Sequence, residues 1–463
     1  MNEPLEAESA ELWKHVLKVK DNPAPRLLTL QESEDGSTQL VEGTARHKPA
    51  SLRKDIEPWL TALFQSEHLA LLLGAGLPMG VHELATGTIG SGTDCVRLAE
   101  FSKEVDAAAV RSADVSGRGR PNIEDQLRAL EELLRGLSIY APDDASFRGS
   151  GVLKRRRSRL EAEQNRVLRD FAGAILASER DIASSHSLTA INTLTNFLLS
   201  FASRTATRQR LHVFTTNYDR LIEFGAELAG LRLMDRFVGN LCPIFRSSRL
   251  EVDLHYNPPG IRGEPRYLEG VVLFTKLHGS LDWIYSDGYV RRTGLAFGGS
   301  ELVLSSPAAE ADVRSLMIYP NSAKDRETTE YPYVELFRDF AAATCRPNST
   351  LVVYGYSFGD EPVNRVVEDM LTIPSTHLVI IAYSDIGGRI QRFYERIGRP
   401  AQFTILLGEH LGGLKNIVDL YLPKPAIDKN TIRMAELLRA RGIAFAGPEV
   451  SSDGSGTPSA SDA

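Results

Sequence analysis

Five short polar clusters carry the residue types that do chemistry. Gly74-Ala75-Gly76 closes an apolar run, HLALLLGAG, over residues 68–76. Glycines there allow a backbone to approach a pyrophosphate closely, or simply make a tight turn. The sequence continues Leu77-Pro78-Met79-Gly80, so the full Gly-x-Gly-x-x-Gly dinucleotide fingerprint is absent. Thr215-Thr216-Asn217-Tyr218-Asp219 closes a second apolar run, LHVFTT. An Asn or Asp in such a place routinely caps the next helix. Capping accounts for one of the pair; an amide is also suited to orient a water or a ribose hydroxyl, and a carboxylate to hold an amide.

Lys276-Leu277-His278-Gly279-Ser280 ends a third run, VVLFTKL. A lone histidine is more often structural than catalytic. An imidazole at a strand end, before a glycine, also suits a general base toward a ribose hydroxyl. Gly355-Tyr356-Ser357-Phe358-Gly359-Asp360 follows TLVVY. Its plain reading is a strand–helix turn with an Asp cap; its functional reading is a loop that bonds ribose or phosphate. Asn122-Ile123-Glu124-Asp125 reads as a helix N-terminus, with Asn122 as cap and acids in the first turn.

The elements that position these clusters follow from periodicity. Apolar runs at 68–73, 211–216, 271–277, 315–319 (SLMIY), 350–355, 377–383 and 402–407 alternate with helical patterns such as YDRLIEFGAELA, YVELFRDFAAA, EPVNRVVEDML and IGGRIQRFYERI. That alternation predicts an α/β fold, a Rossmann-like parallel sheet with helices on both faces. Such sheets bind ligands beyond the carboxyl ends of their strands, where the strand order reverses. The clusters at 74–76, 215–219, 276–280 and 355–360 all sit at such ends. Residues 97–205 change to apolar spacing of helical period throughout, which predicts a large helical insertion in the α/β core.

Residues 1–50 are polar and are expected to form a loosely packed N-terminal arm with a helical stretch near Leu12–Val19. A helix is expected over 53–66. Residues 51–420 form the main domain, the stretch 235–270 is loop-rich, and 421–463 form an extension ending in the disordered-type tail SSDGSGTPSASDA.

Composition narrows the function classes. The chain has 463 residues, 42% hydrophobic and 24% charged, with a net charge of −7 that gives no overall attraction to nucleic acid. The run Lys154-Arg155-Arg156-Arg157-Ser158-Arg159 reads as a solvated helix start or a contact to an acidic partner. Tyr331-Pro332-Tyr333-Val334-Glu335-Leu336-Phe337 reads as packing of a sheet-covering helix. No apolar run approaches the roughly 20 residues that span a bilayer, and no secretory signal is present, so a cytoplasmic location without membrane attachment is expected. Cys95, Cys242 and Cys345 form no Cys-x-x-Cys pair, so a four-cysteine zinc module and a disulfide framework are not expected.

In this order, the five clusters resemble the sirtuin superfamily, specifically its bacterial antiphage-defence branch of NAD-hydrolysing domains, over roughly residues 68–410. The resemblance implies NAD as substrate and hydrolysis to nicotinamide and ADP-ribose. It implies that Gly74, Ala75 and Gly76 line the diphosphate, Asn217 positions the attacking water, and Asp219 grips the carboxamide. His278 would be the catalytic imidazole; Gly355, Ser357 and Asp360 would contact phosphate or the adenosine half. It further implies gating by homo-oligomerisation or by a HerA-like ATPase partner. The chain departs from the family where Leu77-Pro78 replaces the usual Ser after Gly-Ala-Gly, and where no clear counterpart of the family's next-loop Arg occurs. Two alternatives stay open: NAD-dependent deacylation or ADP-ribosylation, and a non-catalytic nucleotide-sensing scaffold.

Overall fold

The structure, a computed structural model, describes residues 12–20, 22, 24–32, 38–90, 95–115, 120–144, 147, 149–204, 208–248, 254–256, 266–286, 288–299 and 331–424. The chain divides into two compact units, 1–423 and 424–463, and all of the second but Lys424 lies outside the described residues. So do the expected strand at 315–319 and the tail at 451–463.

Among the described residues, the core of the first unit is a nine-stranded sheet. Its strands are β1 (Val16–Lys18), β2 (Arg26–Leu27), β3 (His68–Leu73), β4 (His212–Thr215), β5 (Arg232–Met234), β6 (Val271–Lys276), β7 (Ser349–Tyr354), β8 (His377–Ala382) and β9 (Phe403–Leu407). They lie in the order β2-β1-β9-β8-β7-β3-β4-β6-β5. From β9 to β5 all neighbours are parallel; β1 and β2 add an antiparallel edge. The α/β, Rossmann-like architecture is as expected, with this mixed edge as the difference. The chain lays β4 to β6 on one side of β3 and then returns to lay β7 to β9 on the other. The strand order therefore reverses between β3 and β7.

Period-two side-chain alternation explains why the central strands read as unbroken apolar runs. Leu69, Leu71 and Leu73 of β3, with Val352 and Tyr354 of β7, enter one apolar cluster; Ala70 and Leu72, with Leu351 and Val353, enter another on the opposite face. The first face is covered by α1 (Pro49–Phe64), α2 (Gly76–Thr86), α6 (Leu188–Ala202) and α7 (Leu221–Leu228) through Ile56, Val81, Phe197 and Ile222. The second is covered by α8 (Tyr333–Thr344), α9 (Glu361–Leu371) and α10 (Arg389–Ile397) through Phe340, Val367 and Phe393. Each such buried side chain contributes about 1.5–3 kcal/mol relative to exposure. Helices on both faces leave the strand ends as the open part of the sheet.

The helical stretch holds α3 (Ser102–Val115), α4 (Ile123–Tyr140), the 35-residue α5 (Ser150–Ser184) and α6. The first three form a separate apolar cluster that includes Leu130, Leu160 and Phe171, while α6 packs on the sheet. Asn122 caps α4 as its sequence suggests: its Oδ1 accepts from Asp125 N (3.1 Å), and Asp125 Oδ2 accepts from Asn122 N (3.0 Å). That reciprocal capping box makes Asn122-Ile123-Glu124-Asp125 a structural element here.

One expectation is corrected at the N-terminus. The stretch 12–19 is not helical but contains β1, paired with β9, with Val16 and Leu17 fully buried. Lys18 is buried too, and its Nζ donates to Phe403 O at 3.0 Å. The loop-rich stretch 235–270 also contributes two short strands, Phe237–Val238 and Ile244–Phe245, to a small antiparallel sheet with Trp283–Ser286 and Tyr289–Arg292. Among the described residues no helix is long and apolar enough to cross a membrane.

Candidate active site

Backbone meets backbone where the strand order reverses. Gly76 N donates to Gly355 O at 2.9 Å, and Gly74 N donates to Tyr354 O at 3.0 Å. A Cβ on Gly74 would stand 2.5 Å from Gly355 O, and one on Gly76 would stand 2.6 Å from Gly355 Cα. Gly355 has φ +63°, and a Cβ on it would strike Gly76 Cα at 2.6 Å. Three glycines are thus required by close approach, and one of them also by its left-handed conformation. Ala75, between the first two, is exposed at the N-cap of α2. Gly76 N and Leu77 N, the latter bonded to Gly74 O at 3.2 Å, are already taken and Pro78 has no N–H, so the helix start brings to this edge the positive end of its dipole.

Asn217 binds the glycine turn directly. Its Nδ2 donates to Gly74 O at 2.9 Å, and its own N–H donates to Thr215 Oγ1 at 3.0 Å. Thr215 Oγ1 in turn donates to Leu73 O at 2.9 Å. A short polar ladder therefore ties the ends of β3 and β4 together.

Asp219 stands on the far side of that turn, where its Oδ1 accepts from Leu221 N at 3.0 Å, an Asx-type cap on α7. Burial pushes the Asp219 carboxyl above its ordinary range, against the opposing pull of Lys276. Lys276, itself buried at the end of β6, donates to Asp219 O and, at 3.0 Å, to Glu223 Oε1. Burial likewise raises the Glu223 carboxyl, with Lys276 opposing and Asp282 adding to the rise.

His278 lies just past β6, and the chain turns away at Gly279 (φ +83°). Its Nε2 is buried 2.8 Å from Asp360 Oδ2, a contact in distance that lacks the alignment of a hydrogen bond. Asp360 occupies the N-cap position of α9, yet its side chain makes no cap hydrogen bond. The capping expected from its place in sequence is replaced by this contact with the imidazole.

The loop that presents Asp360 is internally closed. The buried Tyr356 hydroxyl stands 3.0 Å from both Asp360 O and Asn364 Oδ1 and accepts from Asp360 N at 3.3 Å. Asn364 Nδ2 donates to Phe358 O at 3.1 Å. Burial, reinforced by Asp360, pushes the Tyr356 phenol well above its ordinary value, so it stays protonated. Phe358 holds a left-handed conformation (φ +53°), local strain of the kind that surrounding contacts must enforce. A Cβ on Gly359 would stand 2.6 Å from Arg389 Nη1 and 3.3 Å from Ser357 Oγ, so a buried guanidinium and a half-buried hydroxyl flank that glycine.

The structure thus gathers Gly74, Ala75, Gly76, Asn217, His278, Gly355, Ser357 and Asp360 at the carboxyl ends of four parallel strands. Asp219 reaches the same end but spends one oxygen on its helix. Lys276, Tyr356 and Asn364 support the site without having been singled out from sequence. For Lys276 the signal was present: a lysine inside the apolar run VVLFTKL must bury its charge against a partner. Elsewhere, the basic run at 154–159 is answered locally by Asp143, Glu161 and Glu100. Tyr333 and Leu336 pack into the second core face, as read from their aromatic-rich stretch.

Residues 211–398 match the family model of the SIR2-like domain. The SIR2-like stretch contains Asn217, Asp219, His278, Gly355, Ser357 and Asp360, together with strands β4 to β8. The glycine turn at 74–76 and the helical insertion precede it. A SIR2-like domain suggests NAD-related activity, and the sheet topology leaves these strand ends as the place where such a fold takes a ligand. No curated protein matches the chain.

Proposed function

We propose that the chain hydrolyses NAD at the nicotinamide–ribose bond, consuming one water and releasing nicotinamide, ADP-ribose and a proton. The observation that carries this reading is the glycine contact between β3 and β7, with Asn217 bonded to it and a buried imidazole at the same sheet end. The bare backbone at Gly74, Gly76 and Gly355 suits a diphosphate that must lie against main chain, and the start of α2 favours its negative charge. With its Nδ2 committed to Gly74 O, Asn217 has its amide oxygen to hold the attacking water in line with the anomeric carbon. His278 is the group to accept the water's or a ribose hydroxyl's proton, with the Asp360 carboxylate beside it to stabilise the charge that results. Ser357 offers a hydroxyl to ribose or phosphate. Asp219 grips the carboxamide with the carboxylate oxygen not used on α7.

The physiological reading is depletion of NAD in antiphage defence. The enzyme is held in check in the cytoplasm until homo-oligomerisation or a HerA-like ATPase partner releases it. Cleavage carried out in oxygen-labelled water separates hydrolysis from its competitors. Label in the anomeric hydroxyl of free ADP-ribose supports hydrolysis. ADP-ribose attached to protein, or product formed only when an acyl-lysine peptide is added, overturns it in favour of transfer or deacylation.

A further inference from the structure

One turn of α5 touches three segments that flank the site. Glu179, 2% exposed, accepts from the Arg220 backbone N–H at 2.7 Å, from its Nε at 3.3 Å and from its Nη2. Arg220 directly follows Asp219, and its guanidinium also donates to the carbonyls of Leu295 and, at 3.2 Å, Ala296. Two residues further along, Asp181 Oδ2 lies 3.6 Å from Nε2 of His82 on α2, the helix that begins at Gly76. Ala183 packs so tightly on Gly298 that a Cβ there would stand 2.7 Å from the Ala183 methyl.

The same helix holds the residues between the catalytic candidates. Phe171 meets Tyr218 edge-on, with centroids 5.9 Å apart. Tyr218 and Leu281 belong to the apolar cluster of α3 to α5, although one sits between Asn217 and Asp219 and the other just beyond Ser280. Leu281 N donates to Tyr218 O at 3.1 Å, and Ser280 Oγ donates to the same oxygen at 3.3 Å. The loops after β4 and β6 are therefore pinned to each other and, through alternate residues, to the helical module.

We propose that Glu179 is a positioning residue, through which the helical module α3 to α5 sets the conformation of the Asn217–Arg220 loop and hence its competence. A buried carboxylate that takes three hydrogen bonds from one residue fixes both the backbone and the side chain of that residue. Displacing α5 would release Arg220 and, with it, the carboxylate and amide that precede it. Burial raises the Asp219 carboxyl and Glu179 adds to that rise, against the opposing pull of Lys276 and the Leu221 N–H, so the Glu179 charge is felt at the site. The kinetic consequence rests on the hydrolase reading; the structural one does not.

The test uses the full chain with Glu179→Gln, which keeps the shape and loses the charge, Glu179→Ala, and Asp170→Asn on the exposed side of α5 as control. Amide hydrogen exchange over 215–222 reads the loop, because Arg220 N and Leu221 N are held by Glu179 and Asp219. Exchange there is expected to speed up by about 10-fold or more in Glu179→Ala and less in Glu179→Gln, with β3 unchanged. The rate of NAD cleavage is expected to fall in the same order, by up to about 10²-fold in kcat, with KM moving less than about twofold. The control should match wild type in both. Unchanged exchange at 217–221, loss of protection spreading through β3, or faster exchange with unaltered kcat overturns the proposal. A wild-type chain that cleaves no NAD under any condition removes the hydrolase reading and leaves the exchange result to decide the role of Glu179.

Discussion

Asp360 Oδ2 stands 2.8 Å from His278 Nε2, although the strands that carry them, β7 and β6, are separated in the sheet by β3 and β4. Three strand spacings amount to roughly 14 Å, so the two loops lean toward each other over the ends of the intervening strands. Those ends carry Gly74–Gly76 and Asn217. The contact therefore roofs the glycine turn and the amide with a carboxylate and an imidazole, and groups far apart in sequence become one site.

From that contact, His278→Ala should lower NAD cleavage by about 10²- to 10⁴-fold, the range for loss of a general base. Asp360→Asn, which keeps the shape but not the charge, should lower it less, by about 10-fold or more. Steady-state rates with both purified variants check this. An Asp360→Asn rate equal to wild type would restrict Asp360 to shaping the loop.

The glycine contact makes a steric prediction. Gly74→Ala places a methyl 2.5 Å from Gly355 O, and Gly355→Ala adds a strained backbone to a clash with Gly76 Cα. Each should cost about 1–3 kcal/mol of stability and weaken NAD binding by more than that loss explains. Thermal melts with and without NAD separate the two effects. Ala75→Ser, at the exposed position between the glycines, should melt like wild type.

Lys276→Met removes a buried cation that holds Asp219 O and Glu223 Oε1. It should destabilise the fold by about 3 kcal/mol, because a buried carboxylate is left without its partner. The Glu223 carboxyl is already raised by burial, and a raised carboxyl favours the fold below its unfolded value near 4.5 and disfavours it as pH rises through the folded value. Part of the loss in Lys276→Met should therefore return on acidification to pH 5, and part should return at neutral pH in the Lys276→Met, Glu223→Gln double variant. Urea midpoints for wild type, Lys276→Met and the double variant at two pH values provide the readout.

Two deeply buried histidines outside the site should weaken the fold in acid. Burial lowers His212 to about 3 and His377 to about 4 from an ordinary 6.5, and each bonds a threonine, Thr275 and Thr404 respectively. A depressed histidine favours the fold above its unfolded value, and that contribution is lost as pH falls toward the folded value. Between pH 6.5 and 4 each should add a slope of up to about 1.4 kcal/mol per pH unit. Melting temperature should fall across that window in wild type and fall less steeply in His377→Gln.

The central sheet was legible because β3, β6, β7, β8 and β9 are buried on both faces and so appear as unbroken apolar runs. Strand β1 was not: Val16-Leu17-Lys18 is only three residues long, sits in a stretch whose apolar spacing also fits a helix, and ends in a lysine satisfied by Phe403 O. Edge strand β5, Arg232-Leu233-Met234, carries no comparable apolar run. Candidate residues at strand ends were legible from type and place. The partners were not, since Asp360 at the head of a helix looks the same whether it caps that helix or turns to His278. Capping won at Asp219 and Asn122; the contact with the imidazole won at Asp360.

The most direct test is NAD consumption by the purified full chain, with products resolved chromatographically, beside Asn217→Ala and His278→Ala. Candidate ATPase partners and DNA are added in parallel to supply an activating signal. Nicotinamide and ADP-ribose in equal amounts from wild type, and from neither variant, is the predicted result. NAD that binds in a calorimeter yet stays intact under every condition would contradict the hydrolase and leave a nucleotide-sensing scaffold.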